Sequence, residues 1–406
     1  MMSGPLQGGT SSWHPPPINR QDYRLRAVWI NKGTWKKPGP IAYMGLLNAL
    51  SFAWNGINTD FFVNGPEGTD LNADLTQFYG LEPHPQLAIH LSPKSKSGQR
   101  PVYQAGLKAI KSYCEQDEPV LVMTREVGIL AELIRLKRRY PQLTVLHEVH
   151  DYYGSVKHLP SRGLSDYRRM IAERLSFGGL DGLICLTEYQ RALYQQWLPE
   201  LPMTVQPLGS AKPDHKLNGS SEQRRQQRRI AYIGHLISFK GLALILELAQ
   251  QLRDQDIEIV CYGGHQGQVD ELTAKANSEG LASVLKFVTF LSPRELNEVL
   301  ATQISIGLVP LQNTYYSRYL TCPVKALDFM ANGLPVVGSD LPSVKDVLDN
   351  SGVIIASDDA TAYAKAVTAI LDDEQRYQRL SQQSLDRAEM LSWKNRAKAI
   401  LDFSKR

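Results

Sequence analysis

The sequence predicts two doubly wound α/β sheets facing a cleft, on three observations. Short apolar, β-rich runs alternate with amphipathic helical stretches, the pattern of βαβ units and parallel sheets. A polar stretch, 209–228 (GSAKPDHKLNGSSEQRRQQR), interrupts the series and reads as a linker. The length, 406 residues, accommodates two domains of ordinary size.

Before the linker, strands are predicted over 26–30, 57–63, 86–91, 119–123, 143–147, 180–186 and 202–206, with helices over 41–54, 103–115 and 127–139. After it, strands over 229–233, 257–262, 285–290, 304–309, 335–338 and 352–355 alternate with helices over 240–253, 267–278, 293–301, 323–332 and 361–371. The chain thus divides into a first domain over 23–208 and a second over 209–387. Residues 1–22, rich in Gly, Ser and Pro, are expected to form a disordered tail. The last stretch is helical in composition, and a helix over 388–406 is expected to pack back on the first domain. Open α/β sheets bind ligands outside the carboxyl ends of their strands, so the cleft between the two sheets is the expected site.

Composition narrows the function. With 43% hydrophobic and 21% charged residues, the chain can bury sizeable cores. A net charge of +4 is too small for a nucleic-acid binder. The surplus is uneven: residues 1–208 hold 22 Lys and Arg against 18 Asp and Glu, while the remainder is balanced. Lys36, Lys37, Arg135, Lys137, Arg138 and Arg139 are among the contributors, which suits an anionic acceptor or membrane surface. Arg224, Arg225, Arg228 and Arg229 read as a solvated linker, with no aromatic platform for bases. The four cysteines have no metal-site spacing and suit a reduced compartment. No signal peptide is evident, and no apolar run reaches the ~20 residues a bilayer needs. A cytoplasmic protein is expected, with peripheral contact at the membrane's cytoplasmic face left open.

Two segments can carry chemistry. In 230–241, IAYIGHLISFKG, a strand ends at Gly234 and a helix opens near Lys240. A tight glycine turn, unpaired helix-start amides and a lysine suit a phosphate or diphosphate. Read alone, the segment is equally a plain βα loop. In 319–346, Pro323 opens a helix on which Lys325 and Asp328 share a face. A carboxylate there can accept hydrogen bonds from a ribose diol. The alternative is a surface ion pair without function. Tyr315, Tyr316 and Tyr319 either line a sugar pocket or simply pack. Asp254-Gln255-Asp256 reads as a surface loop at the amino end of its strand, not a metal site.

Together these segments resemble family 4 glycosyltransferases, which have the GT-B fold. Gly234-His235-Leu236 with Lys240-Gly241 stands where that family has G-R-L-x-x-x-K-G. Ala331, Gly333, Pro335, Val336, Val337, Ser339 and Asp340 match A-x-G-x-P-V-V-x-S-D. The run HEVHD (147–151) looks like the strand end carrying the family's active-site histidine, here His150. The loop GTWKKPGP (33–40) sits where the family has a glycine loop facing the donor, with Gly39 in it. Three positions depart from the pattern. His235 replaces an arginine, Leu320 stands where the first acid of a Glu pair would be, and Asp328 replaces the second. Pro323-Val324-Lys325 fits a subgroup with Pro-x-Lys ahead of the remaining acid.

The resemblance implies transfer of a sugar from a nucleotide-diphosphate sugar, in the UDP or GDP form, to a hydroxyl of a glycan or lipid-linked acceptor. It implies a metal-independent, retaining reaction with no cofactor beyond that co-substrate. His150 and Lys240 would be catalytic. Gly39, His235, Lys325, Asp328 and the amides of Thr321, Cys322 and Val324 would bind the donor. A sugar-nucleotide epimerase or hydrolase shares the nucleotide half, and a non-catalytic partner protein of the same fold is the third reading.

Overall fold

The computed structural model describes residues 25–405 except 38, 96–99, 159–161, 212–220, 238–239 and 357. The expected tail over 1–22 lies outside the described residues. The strands, in chain order, are β1 (Arg26–Thr34), β2 (Asn58–Asn64), β3 (Leu87–Ser92), β4 (Val120–Thr124), β5 (Leu143–Glu148), β6 (Gly182–Cys185), β7 (Met203–Val205), β8 (Arg229–Ile233), β9 (Glu258–Gly264), β10 (Leu285–Thr289), β11 (Ile306–Val309), β12 (Val336–Ser339) and β13 (Gly352–Ile355). They form two all-parallel sheets, ordered β3-β2-β1-β4-β5-β6-β7 and β10-β9-β8-β11-β12-β13. Each order reverses beside the first strand of its sheet, the switch point of a doubly wound domain. Strands such as β4 and β11 are buried at every position, as helices on both faces require.

The helices that shape the cleft and its surroundings are α1 (Pro40–Ala53), α2 (Leu130–Arg139), α3 (Leu164–Ser176), α4 (Leu242–Gln251), α5 (Pro293–Thr302), α6 (Val324–Ala331) and α7 (Trp393–Ser404). Helix α5 opens with a capping box: Ser292 accepts from the Glu295 amide while Glu295 accepts from the Ser292 amide. Helix α7 lies against α1, where Asn55 Nδ2 donates to the Lys394 carbonyl at 3.0 Å. Residues 388–390 end the preceding helix, Glu374–Met390, so the crossing helix itself begins at Trp393.

The stretch read as a linker is largely structured where it is described. Ser210 pairs with Ser392, and its amide donates to the Leu391 carbonyl at 2.9 Å. Ser221–Gln226 form a short helix. The arginine run is not a solvated face. Arg224 is buried, and its carbonyl accepts from Ser305 Oγ at 2.6 Å. Arg228 pairs with Asp372 at 2.8 Å, and Arg229 opens β8 and pairs with Glu258. Charge neutralisation by partners distant in sequence explains why the run reads as polar linker in one dimension.

A candidate active site in the cleft

One cleft of about 330 Å³ lies between the sheets, lined from both domains. The residues reach it from strand carboxyl ends: Gly39 after β1, Arg125 after β4, His150 after β5, and Gly234 with His235 after β8. Lys240, Thr321, Cys322, Val324, Lys325 and Asp328 line it too, so the structure gathers every sequence-predicted site residue at one place.

The β8 turn is built on glycine. Gly234 has φ +122 and Gly263, on the adjoining β9, has φ +134. A Cβ on Gly263 would lie 2.3 Å from the Gly234 carbonyl oxygen, so the two backbones can touch only without side chains. Gly241, at the N-cap of α4, has φ +99 and packs on the Pro310 carbonyl.

The charges are unusual. Lys325 Nζ is buried and has no hydrogen-bond partner among the described residues. It sits over the Tyr232 ring. Burial, reinforced by repulsion from Lys240, pulls its pKa down to about 7. Burial also lowers that of Lys240. Asp328, one turn along α6, is pushed up to about 7 by burial alone. No ion pair joins Lys325 and Asp328 among the described residues, so the surface-pair reading does not describe them. Lys325 turns toward β8, whereas Asp328 faces the phenol of Tyr43 on α1. Tyr43 and Asn297 of α5 both line the cleft.

His235 is exposed and its ring meets Phe290 edge-on at 5.2 Å. Desolvation and then Lys240 lower its pKa, so it is neutral at neutral pH and does not replace the permanent charge of an arginine. The Thr321 amide donates to the Tyr316 carbonyl at 3.1 Å, so it is not the open donor expected from sequence. The amides of Val324 and Lys325 open α6 and have no intrahelical acceptor.

On the other wall, His150 Nε2 lies 2.5 Å from Glu148 Oε1. Burial, and then Arg125, lower the His150 pKa. Glu148 is buried yet ionised: despite desolvation, Arg396 and the His150 bond hold its carboxyl far below the usual range. The three tyrosines divide. Tyr316 lines the cleft, while Tyr319 stacks on Tyr189 of the first domain at 4.1 Å. Tyr315 meets Tyr189 edge-on. The interface is tied further by Thr187 Oγ1 donating to the Tyr319 carbonyl at 2.6 Å. Asp254 and Asp256 are exposed ahead of β9, at the amino end of the sheet.

Sequence reasoning missed Arg125, Tyr43, Asn297 and Arg396. Arg125 directly follows β4, and the strand-end rule could have found it. The other three depend on contacts between distant segments and carry no local signal.

Fold and cleft together define a GT-B protein: two Rossmann-like domains with a site at their facing strand ends. Comparison with solved structures agrees. Sucrose-phosphate synthase from Thermosynechococcus elongatus superposes with a TM-score of 0.67 at 18% identity, covering 94% of this chain and 98% of that one. A TarM variant from S. aureus, in complex with fondaparinux, α-GlcNAc-glycerol and UDP, gives 0.68 at 11% identity, covering 95% and 100%. Residues 227–373 match the family described as glycosyl transferases group 1. The D-inositol 3-phosphate glycosyltransferase of Corynebacterium aurimucosum is 26% identical over 170 residues, 40% of this chain and 39% of that protein. The chain thus spans about two fifths of the length of the first curated relatives it matches.

Proposed function

We propose that the protein is a glycosyltransferase that moves a sugar from a nucleotide-diphosphate sugar to a hydroxyl of a glycan or lipid-linked acceptor. The observation that carries this is Lys325 Nζ, a buried amine with no hydrogen-bond partner among the described residues, in the same cleft as Lys240 and the opening amides of α6. An anion of diphosphate size is of the right charge and extent to meet these groups together. The group 1 match over the second domain, and the UDP in the TarM complex, support a nucleotide donor, here in the UDP or GDP form.

In this reading the bond between the anomeric carbon and the diphosphate breaks, and a bond to the acceptor oxygen forms. The leaving group gains negative charge, which Lys240, Lys325 and the α6 amides stabilise. These protein cations take the part that a metal ion plays in other transferases. Asp328 accepts from the ribose hydroxyls. His150 faces the sugar, with Gly39 and the start of α1 above it. Retention at the anomeric carbon is the outcome the family resemblance implies. The Pro323-Val324-Lys325 run supports a reading in the subgroup with Pro-x-Lys ahead of the remaining acid.

The first domain suits a peripheral contact with an anionic bilayer at the cytoplasmic face. Arg135, Arg138 and Arg139 are exposed on α2, and Arg168 with Leu164, Ile171 and Leu175 on the neighbouring α3. Both acids of α3, Asp166 and Glu173, are buried. Among the described residues no helix is long and apolar enough to cross a membrane.

The test is incubation with UDP- and GDP-sugars, with and without extracts of polyprenyl and glycan acceptors. Nucleotide release that requires an acceptor is the expected result. Release to water alone favours a hydrolase, and saturable binding without release sinks the transferase reading.

A further inference from the structure

We propose that Arg396, on the last helix of the chain, is a positioning residue for His150, acting through the shared carboxylate of Glu148. The proposal rests on the cleft being the transfer site. Its geometry stands independently.

The two oxygens of Glu148 are divided. Oε1 meets His150 Nε2 at 2.5 Å, and Oε2 meets Arg396 Nη2 at 2.6 Å. Arg396 is itself fixed on every side. Its Nη1 donates to Asn48 Oδ1 of α1 at 2.5 Å, and its Nε to the Pro207 carbonyl at 2.8 Å. Glu148 is 1% exposed and Arg396 5%. A buried carboxylate in this setting stays ionised because the guanidinium is beside it. An ionised Glu148 only accepts, so the hydrogen of a neutral His150 lies on Nε2. Nδ1 is then left as an acceptor for a hydroxyl hydrogen of sugar or acceptor.

Remove the guanidinium and the same carboxylate is left with His150 as its charge partner. The imidazole then gains a proton and loses its acceptor. The other charged or titratable groups facing His150 are Arg125 from the end of β4, and His147 and Asp151 on its own segment. None of these shares the Glu148 oxygens in a hydrogen bond among those described, so Arg396 is the one residue placed to set this contact.

The experiment is an NMR titration of the His150 ring in full-length protein carrying isotope-labelled histidine, assigned with His150→Gln. In the wild type, His150 should titrate below the ordinary histidine value with its hydrogen on Nε2. In Arg396→Gln the midpoint should rise by about one unit or more. Arg396→Lys, which keeps the charge, should return it most of the way. In a Glu148→Gln background, Arg396→Gln should move nothing. Should Arg396→Gln fail to fold, Asn48→Asp gives Arg396 a second carboxylate and draws it from Glu148. The midpoint must again rise, and only while Glu148 is present. An unmoved midpoint and tautomer in folded Arg396→Gln or Asn48→Asp overturns the proposal. Where transfer activity is found, the acid limb of kcat should move up in step with the midpoint. The titration is read without substrate, so failure of the transferase reading and failure of the positioning role are distinguishable.

Discussion

Lys325 Nζ rests 4.0 Å from the centre of the Tyr232 ring and makes no hydrogen bond among the described residues. A cation–π contact offsets part of the desolvation of an ammonium, not all of it. Burial of this ammonium without a hydrogen-bond acceptor among the described residues is therefore costly to the fold. Substitution to Lys325→Met should raise the melting temperature of the ligand-free protein, by about 2–4 °C for each kcal/mol relieved in a domain of this size. The same variant should lose the thermal stabilisation by UDP or GDP. A melting temperature that falls, with nucleotide stabilisation retained, counts against the assignment.

The lowered pKa of Lys325 gives nucleotide binding a pH dependence. Its folded value, about 7, lies below its ordinary one, so the ligand-free amine loses its proton as pH rises through 7. A bound diphosphate needs that proton. Affinity for UDP or GDP should therefore fall by up to about tenfold per unit between pH 7 and 9. Calorimetry in buffers of differing ionisation enthalpy should show proton uptake on binding. Lys325→Met should abolish the uptake. Asp328 has the opposite bearing on the fold: its raised pKa means its contribution to stability is present below pH 4 and lost as pH rises toward 7. Asp328→Asn should be more stable than wild type at pH 8, and no different at pH 4.

Lys240→Ala should reduce donor turnover on the order of 10²-fold, the scale of removing one charge-stabilising donor. Far-ultraviolet circular dichroism should stay unchanged. Near-normal turnover in the folded variant would remove Lys240 from the diphosphate site.

The Gly241 position allows no side chain. A Cβ there would lie 1.9 Å from the Pro310 carbonyl oxygen, with φ +99. Gly241→Ala should cost at least about 2 kcal/mol by denaturant titration. It should also weaken nucleotide binding, because α4 must shift away from the cleft.

The proposed bilayer contact is checked by flotation with vesicles of phosphatidylglycerol. Ile171 and Leu175 are 53% and 81% exposed, so Ile171→Glu with Leu175→Glu should leave the fold intact. Binding at low salt should drop severalfold relative to wild type. Equal recruitment of both would dismiss α3 as the contact.

The sheets were legible in the sequence because both are buried on two faces, and their strands read as short continuous apolar runs. Strands such as 229–233 and 352–355 match residue for residue. Helix α3 was not legible, because it inverts the usual pattern: Asp166 and Glu173 face inward while Leu164, Ile171 and Leu175 face out. Gly234, Lys240, Lys325 and Asp328 lie on two short segments, and it was the family resemblance of the two together that singled them out, since each segment read alone left a plain loop or a surface ion pair open. Thr321 was misread because its amide partner, the Tyr316 carbonyl, depends on a tight turn that spacing does not reveal. Arg396 lies 248 residues from Glu148, beyond any local pattern.

The bridge between Ser210 and Ser392 has a mechanical consequence. The backbone passes between the two sheets at about residue 209 and returns at about residue 392, and these passages are fastened side by side. Adjacent attachments resist twisting of one body against the other more than they resist gaping. Any relative motion of the two domains is thereby steered toward opening and shutting like a book along its spine.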